Sequence, residues 1–137
     1  MVPMLLDTCA ALWMTKNQPL SEEFVDAIDL ASDHGDPIFI SPISVWEVAL
    51  QMAKGRMAIA TTTQVWFDDL KTTPGIVFAD LSAPILLDSV GLPDFNNNDP
   101  ADRIIVATAR TLTMRIVTRD RKILDYAARG HVLALAC

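Results

Sequence analysis

The sequence predicts an α/β fold in three layers, with a central parallel sheet of about five strands flanked by helices. Short apolar runs of strand length alternate with longer stretches of helical pattern along the chain. Most of the helical stretches carry their own start and stop residues. Parallel strands need long connections, so this alternation implies right-handed helical crossovers. With 137 residues and 51% apolar content, the chain is expected to form one domain over 1–137 with a substantial core.

Val2–Leu6 reads as the first strand, short and wholly apolar. Ser21–Ala31 reads as an amphipathic helix, with Ser21 as N-cap and Glu22 and Glu23 in its first turn. Ile38–Ile40 is the second strand. Ser41-Pro42 then opens a helix reaching about Lys54-Gly55, because proline suits a first helical turn. Another helix covers about Thr62–Thr72 and stops at Pro74-Gly75, before a third strand, Ile76–Ala79. Ala83–Val90 is a short helix. Residues 91–99 form a loop containing Gly91, Pro93 and Asn96-Asn-Asn98. A helix after Pro100 extends to about Leu112. Ile116–Thr118 is the fourth strand, Arg121–Ala128 a helix and Val132–Leu135 the fifth strand. No internal repeat, linker or low-complexity tract interrupts the series.

Four acids occupy comparable positions in this scheme. Asp7 closes the first strand and Asp120 follows the fourth. Glu47 falls in the second turn of its helix, facing inward, and Asp102 lies in the first turn of its own. Ligands of open parallel sheets bind beyond the carboxyl ends of the strands, where all four acids can converge. Acids at the ends of buried elements are costly unless paired, hydrogen-bonded or bound to a cation. Several of them without a His/Cys cluster suit an all-oxygen site for a hard divalent cation. Each also has a simpler reading. Asp99-Pro-Ala-Asp102 is a good capping pattern, with Asp99 as N-cap. Asp120 can cap the helix at Arg121, Ser44-x-x-Glu47 matches a capping box, and Asp7 can cap a helix starting near Ala10.

Other chemistry is thinly represented. His34 and His131 have no nucleophile partner, and Cys9 reads as a small buried thiol. Trp13, Trp46 and Trp66 read as core or interface anchors. Cys9 and Cys137 match no metal or disulfide spacing, which favours a reduced, cytoplasmic protein. No apolar run is long enough for a membrane span, and the N-terminus lacks the basic region and cleavage site of a signal peptide. The net charge of −6 conceals an asymmetry. Residues 17–99 hold three cations against thirteen acids, whereas residues 100–137 hold seven cations against three acids. That leaves two readings: ordinary solvated faces, or a basic rim suited to a phosphate backbone.

Four motifs together resemble a PIN-domain ribonuclease of the VapC toxin type. They are Leu5-Leu-Asp7-Thr8, Ser44-Val-Trp-Glu47-Val-Ala, Asp99-Pro-Ala-Asp102-Arg-Ile-Ile-Val-Ala-Thr-Ala109 and Val117-Thr-Arg-Asp120. They follow the family's order and span nearly the whole chain. The resemblance implies a PIN-like fold and a Mg²⁺ or Mn²⁺ site formed by Asp7, Glu47, Asp102 and Asp120. Thr8 and Thr118 match the hydroxyl residues beside those acids, and Asp99 would act behind them or as an occasional ligand. Relatives often carry a His-Arg pair just before the Asp-Pro, where this chain has Asn97-Asn98.

The resemblance further implies a metal-dependent endoribonuclease leaving a 5′-phosphate, and a toxin of a type II toxin–antitoxin pair. Such toxins are usually homodimers held inactive by a cognate VapB-type antitoxin, which carries the DNA-binding domain. Arg119 and Arg121 flank Asp120 and are expected to rim the pocket, meeting phosphates on either side of the scissile one. A haloacid-dehalogenase-type phosphotransferase would need a second acid where Asp7-Thr-Cys9 has none. A receiver-like domain would need a better-placed lysine than Lys122. A non-catalytic PIN-fold module acting through protein contacts remains the alternative.

Overall fold

The computed structural model describes residues 2–16 and 18–137. Among these residues, five parallel strands form one sheet: β1 (Met4–Leu6), β2 (Ile38–Ile40), β3 (Ile76–Phe78), β4 (Arg115–Thr118) and β5 (Leu133–Ala136), in the order β3-β2-β1-β4-β5. From β1 the chain builds outward through β2 and β3, then returns to place β4 on the other side of β1. The strand order therefore reverses between β1 and β4, the position at which open parallel sheets bind ligands.

Seven helices among the described residues cover the sheet: α1 (Thr8–Thr15), α2 (Glu22–His34), α3 (Pro42–Ala53), α4 (Thr63–Thr72), α5 (Ala83–Val90), α6 (Pro100–Leu112) and α7 (Arg121–Ala128). The period-two alternation of the strands divides the core into two layers. Met4, Leu6, Ile38, Ile40 and Val117 face α1, α2 and α4. Leu5 and Ile116 face α5, α6 and α7. The α3 helix spans both sides, with Val48 in the first layer and Ile43 against the second. Strands buried on both faces read as continuous apolar runs, which is why such short segments are legible.

The expected sheet and crossovers are present, with adjustments at the ends of elements. The first strand is shorter, since Val2 is exposed and outside the ladder. The third stops at Phe78, the fourth starts one residue earlier at Arg115, and the fifth is displaced by one residue to Leu133–Ala136. The second helix continues to His34, where Gly35 adopts the left-handed conformation that glycine accommodates (φ 69°). The sequence offers α1 only as a helix that Asp7 can cap near Ala10; it begins at Thr8. Its sequence Thr-Cys-Ala-Ala-Leu-Trp-Met-Thr is apolar around most of its circumference, so no amphipathic period marks it.

Candidate active site

Asp7 leaves β1 at its carboxyl end and immediately caps α1, with one carboxylate oxygen accepting from the Ala10 N–H at 2.7 Å. The other accepts from the Thr118 hydroxyl, at the carboxyl end of β4. Thr118 Oγ1 also accepts from the Asp120 N–H at 2.9 Å, and Asp120 caps α7 through the Ile123 N–H at 3.0 Å. The two strands flanking the reversal are thus joined by Asp7–Thr118–Asp120. The capping interpretation of these acids is correct for their hydrogen bonds, and it also explains how their carboxylates are held in place.

The second half of the site comes from α3 and α6. Asp99 caps α6 through the Asp102 N–H at 3.0 Å, with Pro100 in the first turn. Asp102 then points toward Glu47. Carboxylate oxygens of Glu47, Asp99 and Asp102 all lie within 4.8 Å of one another. Asp7, Glu47, Asp102 and Asp120 line one pocket of about 430 Å³, together with Thr8, Cys9, Trp13, Gln51, Met57 and Arg119. All four acids singled out in the sequence share that pocket, and Asp99 joins them through the three-carboxylate group.

Burial is the main cause of the raised acid pKa values. It raises the Asp102 carboxyl to about 7; the Asn97 hydrogen bond offsets part of this, while the Asp99, Asp120 and Glu47 charges add to it. Burial also raises Asp7 against its bonds from Thr118 and Ala10, with Asp120 adding repulsion. Glu47 is raised by burial and further by the Asp99 and Asp7 charges, with the nearby Thr8 hydroxyl offsetting part of the effect. The Thr8 hydroxyl itself donates to Ser44 Oγ at 2.9 Å. Cys9 is exposed in the first turn of α1, where it borders the open pocket, and is not the buried residue its apolar neighbours suggest. Partial desolvation and the Asp7, Glu47 and Asp102 charges push its thiol up to about 11, so it is neutral and a poor nucleophile at neutral pH.

The two arginines differ. Arg121 is exposed at the start of α7 and, contrary to the expectation that both arginines rim the pocket, is not among the residues lining it. Arg119 lies on the pocket wall 3.8 Å above the Trp13 ring, donating to the Cys137 carbonyl at 2.7 Å and the Pro19 carbonyl at 3.0 Å. Part of its donor capacity therefore holds two chain segments together. Sequence reasoning does not anticipate Trp13, Gln51 and Met57 in the pocket wall. The four-residue spacing of Glu47 and Gln51, which puts both on one helix face, is the available signal for Gln51.

Residues 4–129 match the PIN domain family. The chain belongs to that family. This PIN domain is also 32% identical over 124 residues to Ribonuclease VapC22 of Mycobacterium tuberculosis, covering 90% of this chain and 91% of that protein. With that similarity it is of the VapC toxin type. Its fold is similar to a chain in the crystal structure of VapBC2 from Rickettsia felis bound to a promoter DNA fragment (TM-score 0.67, 16% identity, 97% of both chains). It is also similar to a chain of a toxin–antitoxin complex from Klebsiella pneumoniae (TM-score 0.60, 21% identity, 96% of this chain and 95% of that one). At those identities the likeness concerns the fold alone.

The donor set fits a hard divalent cation. Every candidate ligand is a carboxylate oxygen, three carboxylates crowd within 4.8 Å, and burial and mutual repulsion leave the acids short of compensating charge.

Proposed function

We propose that this PIN domain is a metal-dependent endoribonuclease toxin of a VapBC-type pair. The observation that carries the reading is the shared pocket of Asp7, Glu47, Asp102 and Asp120 at the strand-order reversal. RNA phosphodiesters are anionic, so an acid pocket without a cation would repel them. Asp7, Glu47, Asp102 and Asp120 would hold Mg²⁺ or Mn²⁺, with Asp99 close enough to share the load. When bound, the cation supplies charge neutralisation for the phosphodiester and lowers the pKa of a water.

The residues themselves divide the remaining work. Thr118 and the α1 N-terminus fix both oxygens of Asp7, so its direction does not depend on substrate. With a cation bound, the ionised carboxylates of the site would also be available to take a proton from the attacking water. Arg121, exposed next to Asp120, would meet a neighbouring phosphate, and Arg119 would contribute charge from the wall. Phosphate contacts of this kind position a strand without reading its sequence.

The same reading assigns partners. A groove of about 890 Å³ lined by Met14, Ile28, Ile59, Trp66 and Leu70 supports docking of a cognate antitoxin segment. On α5, Leu87 is 74% exposed and Val90 is 81% exposed, which supports a homodimer. No helix among the described residues is long and apolar enough to cross a membrane, and the proposed site of action is the cytoplasm.

The test is cleavage of single-stranded RNA by the purified protein. EDTA should abolish it, and excess Mg²⁺ or Mn²⁺ should restore it. Equal cleavage in excess chelator rejects the metal mechanism; no cleavage with either metal, by protein shown to bind it, rejects the nuclease reading. Light scattering at tens of micromolar should give a dimer mass, and a monodisperse 15.0 kDa species rejects the dimer.

A further inference from the structure

The loop before α6 contains an amide that touches two acids of the site. Asn97 is only 6% exposed although it lies outside any helix or strand. Its side-chain oxygen accepts from the Asp99 N–H at 2.9 Å, and its Nδ2 donates to Asp102 Oδ2 at 2.9 Å. The orientation of the amide follows from its neighbours: a backbone N–H can only donate and a carboxylate can only accept, so a flipped amide would lose both bonds.

Arg103 secures this loop. Its Nε donates to the Ser89 carbonyl at 2.7 Å, and its terminal nitrogens donate to the carbonyls of Val90, Phe95 and Asn97 at 3.0–3.1 Å. From α7, Tyr126 donates to the Pro93 carbonyl at 2.6 Å, and Arg129, the C-cap residue of α7, donates to that of Asp94 at 2.9 Å. Side chains of α6, α7 and the α7 C-cap thus hold the carbonyls of residues 93, 94, 95 and 97. Arg103 directly follows Asp102 in sequence, yet its guanidinium bonds to carbonyls, and it forms no ion pair among the described residues. A guanidinium paired with Asp102 would cancel the charge a cation needs. A neutral carboxamide orients the same carboxylate and leaves its charge intact.

We propose that Asn97, held in place by Arg103, is a positioning residue that presents Asp102 to the divalent cation. This rests on the metal-site reading above. Hydrogen-bond partners behind ligating groups are typically worth about 10–100-fold in metal affinity. A residue that only anchored the loop would lower the melting temperature and leave the affinity of the folded protein unchanged.

Mn²⁺ binding to metal-free wild type, Asn97→Leu, Asn97→His and Arg103→Lys is measured by titration calorimetry well below each melting temperature. Asn97→Leu should weaken Mn²⁺ by at least about tenfold. Asn97→His, which retains a neutral ring able to donate and accept, should stay within about threefold of wild type. Arg103→Lys should weaken binding less than Asn97→Leu does. Folded Asn97→Leu binding Mn²⁺ within about twofold of wild type overturns the proposal. If Asn97→Leu does not fold, Asn97→His and Arg103→Lys decide it: Arg103→Lys at wild-type affinity overturns it, and a loss there with affinity kept in Asn97→His supports it. In parallel, the Mg²⁺ concentration giving half-maximal RNA cleavage should rise with the Mn²⁺ dissociation constant. Wild type that binds Mn²⁺ but cleaves no RNA defeats the nuclease reading alone, and the affinities still judge Asn97.

Discussion

The two halves of the acid pocket are built differently. On the β1–β4 side, Thr118 donates to Asp7 and accepts from the Asp120 backbone N–H, and each acid caps a helix, so both Asp7 oxygens and one Asp120 oxygen are held by the fold. On the α3–α6 side, Glu47, Asp99 and Asp102 face one another within 4.8 Å, and a single amide orients Asp102. The first arrangement is hydrogen-bonded by the fold itself. The second holds concentrated negative charge that the protein alone leaves uncompensated. The pocket thus pairs acids held by the fold with acids whose repulsion a cation would relieve.

The largest expected effect separates those halves. Asp102→Asn should reduce RNA cleavage roughly 1,000-fold, corresponding to several kcal/mol of lost charge stabilisation. The same substitution should raise the melting temperature of chelated protein, because it removes a buried charge from a repelling group. Asp7→Asn should be equally inactive with little gain in melting temperature, since the amide cannot keep all the bonds that Asp7 accepts. Differential scanning fluorimetry with EDTA checks both; equal stabilisation by the two substitutions erases the contrast.

The next effect is on pH. A carboxyl that holds its proton more tightly in the folded state stabilises the fold at low pH and loses that contribution as pH rises through the folded value. For Asp102 the window runs from 3.8 to about 7, and Asp7 and Glu47 shift in the same direction. Chelated protein should therefore melt higher near about pH 5 than near about pH 8. Added Mn²⁺ should stabilise more at the higher pH, where the acids are ionised. A melting temperature that rises over this range without metal would contradict the assigned burial and repulsion of these acids.

Asp99→Asn should have a smaller effect, because asparagine caps helices well and the other four acids remain. An inactive Asp99→Asn beside an active Asp102→Asn would reverse the assignment of the third acid. The smallest effect concerns the rim. Arg119→Ala with Arg121→Ala should weaken binding to all RNA sequences alike and lower the salt slope by about 1.4. Because Arg119 also holds the carbonyls of Cys137 and Pro19, Arg121→Ala alone gives the cleaner measurement. An unchanged slope would leave the arginines as solvated surface.

The acids are legible in the sequence because each sits beside a local signal, whether an apolar strand, a Pro in a first turn or a capping position. Asp99-Pro100-Ala-Asp102 announces its helix start and its acids together. Asn97 carries no such signal, since its importance comes from an amide placed between two acids and a loop pinned by side chains up to 35 positions away. The α1 helix is obscured because burial on most sides removes amphipathic period, and that helix brings Trp13 to the pocket.

Local chemistry in the sequence thus determined the strands, most helices, the parallel α/β class and the identity of the acids, since each depends on residues within a few positions. Tertiary structure alone decided which acids crowd together and which are satisfied by the fold. It also decided that Arg119 and Arg103 bond to carbonyls. Those outcomes depend on the β3-β2-β1-β4-β5 strand order, which brings Asp7 beside Thr118 across 111 residues. Electrostatic and hydrogen-bond energies depend on distance in space, and the order of residues along the chain encodes that distance only through the fold.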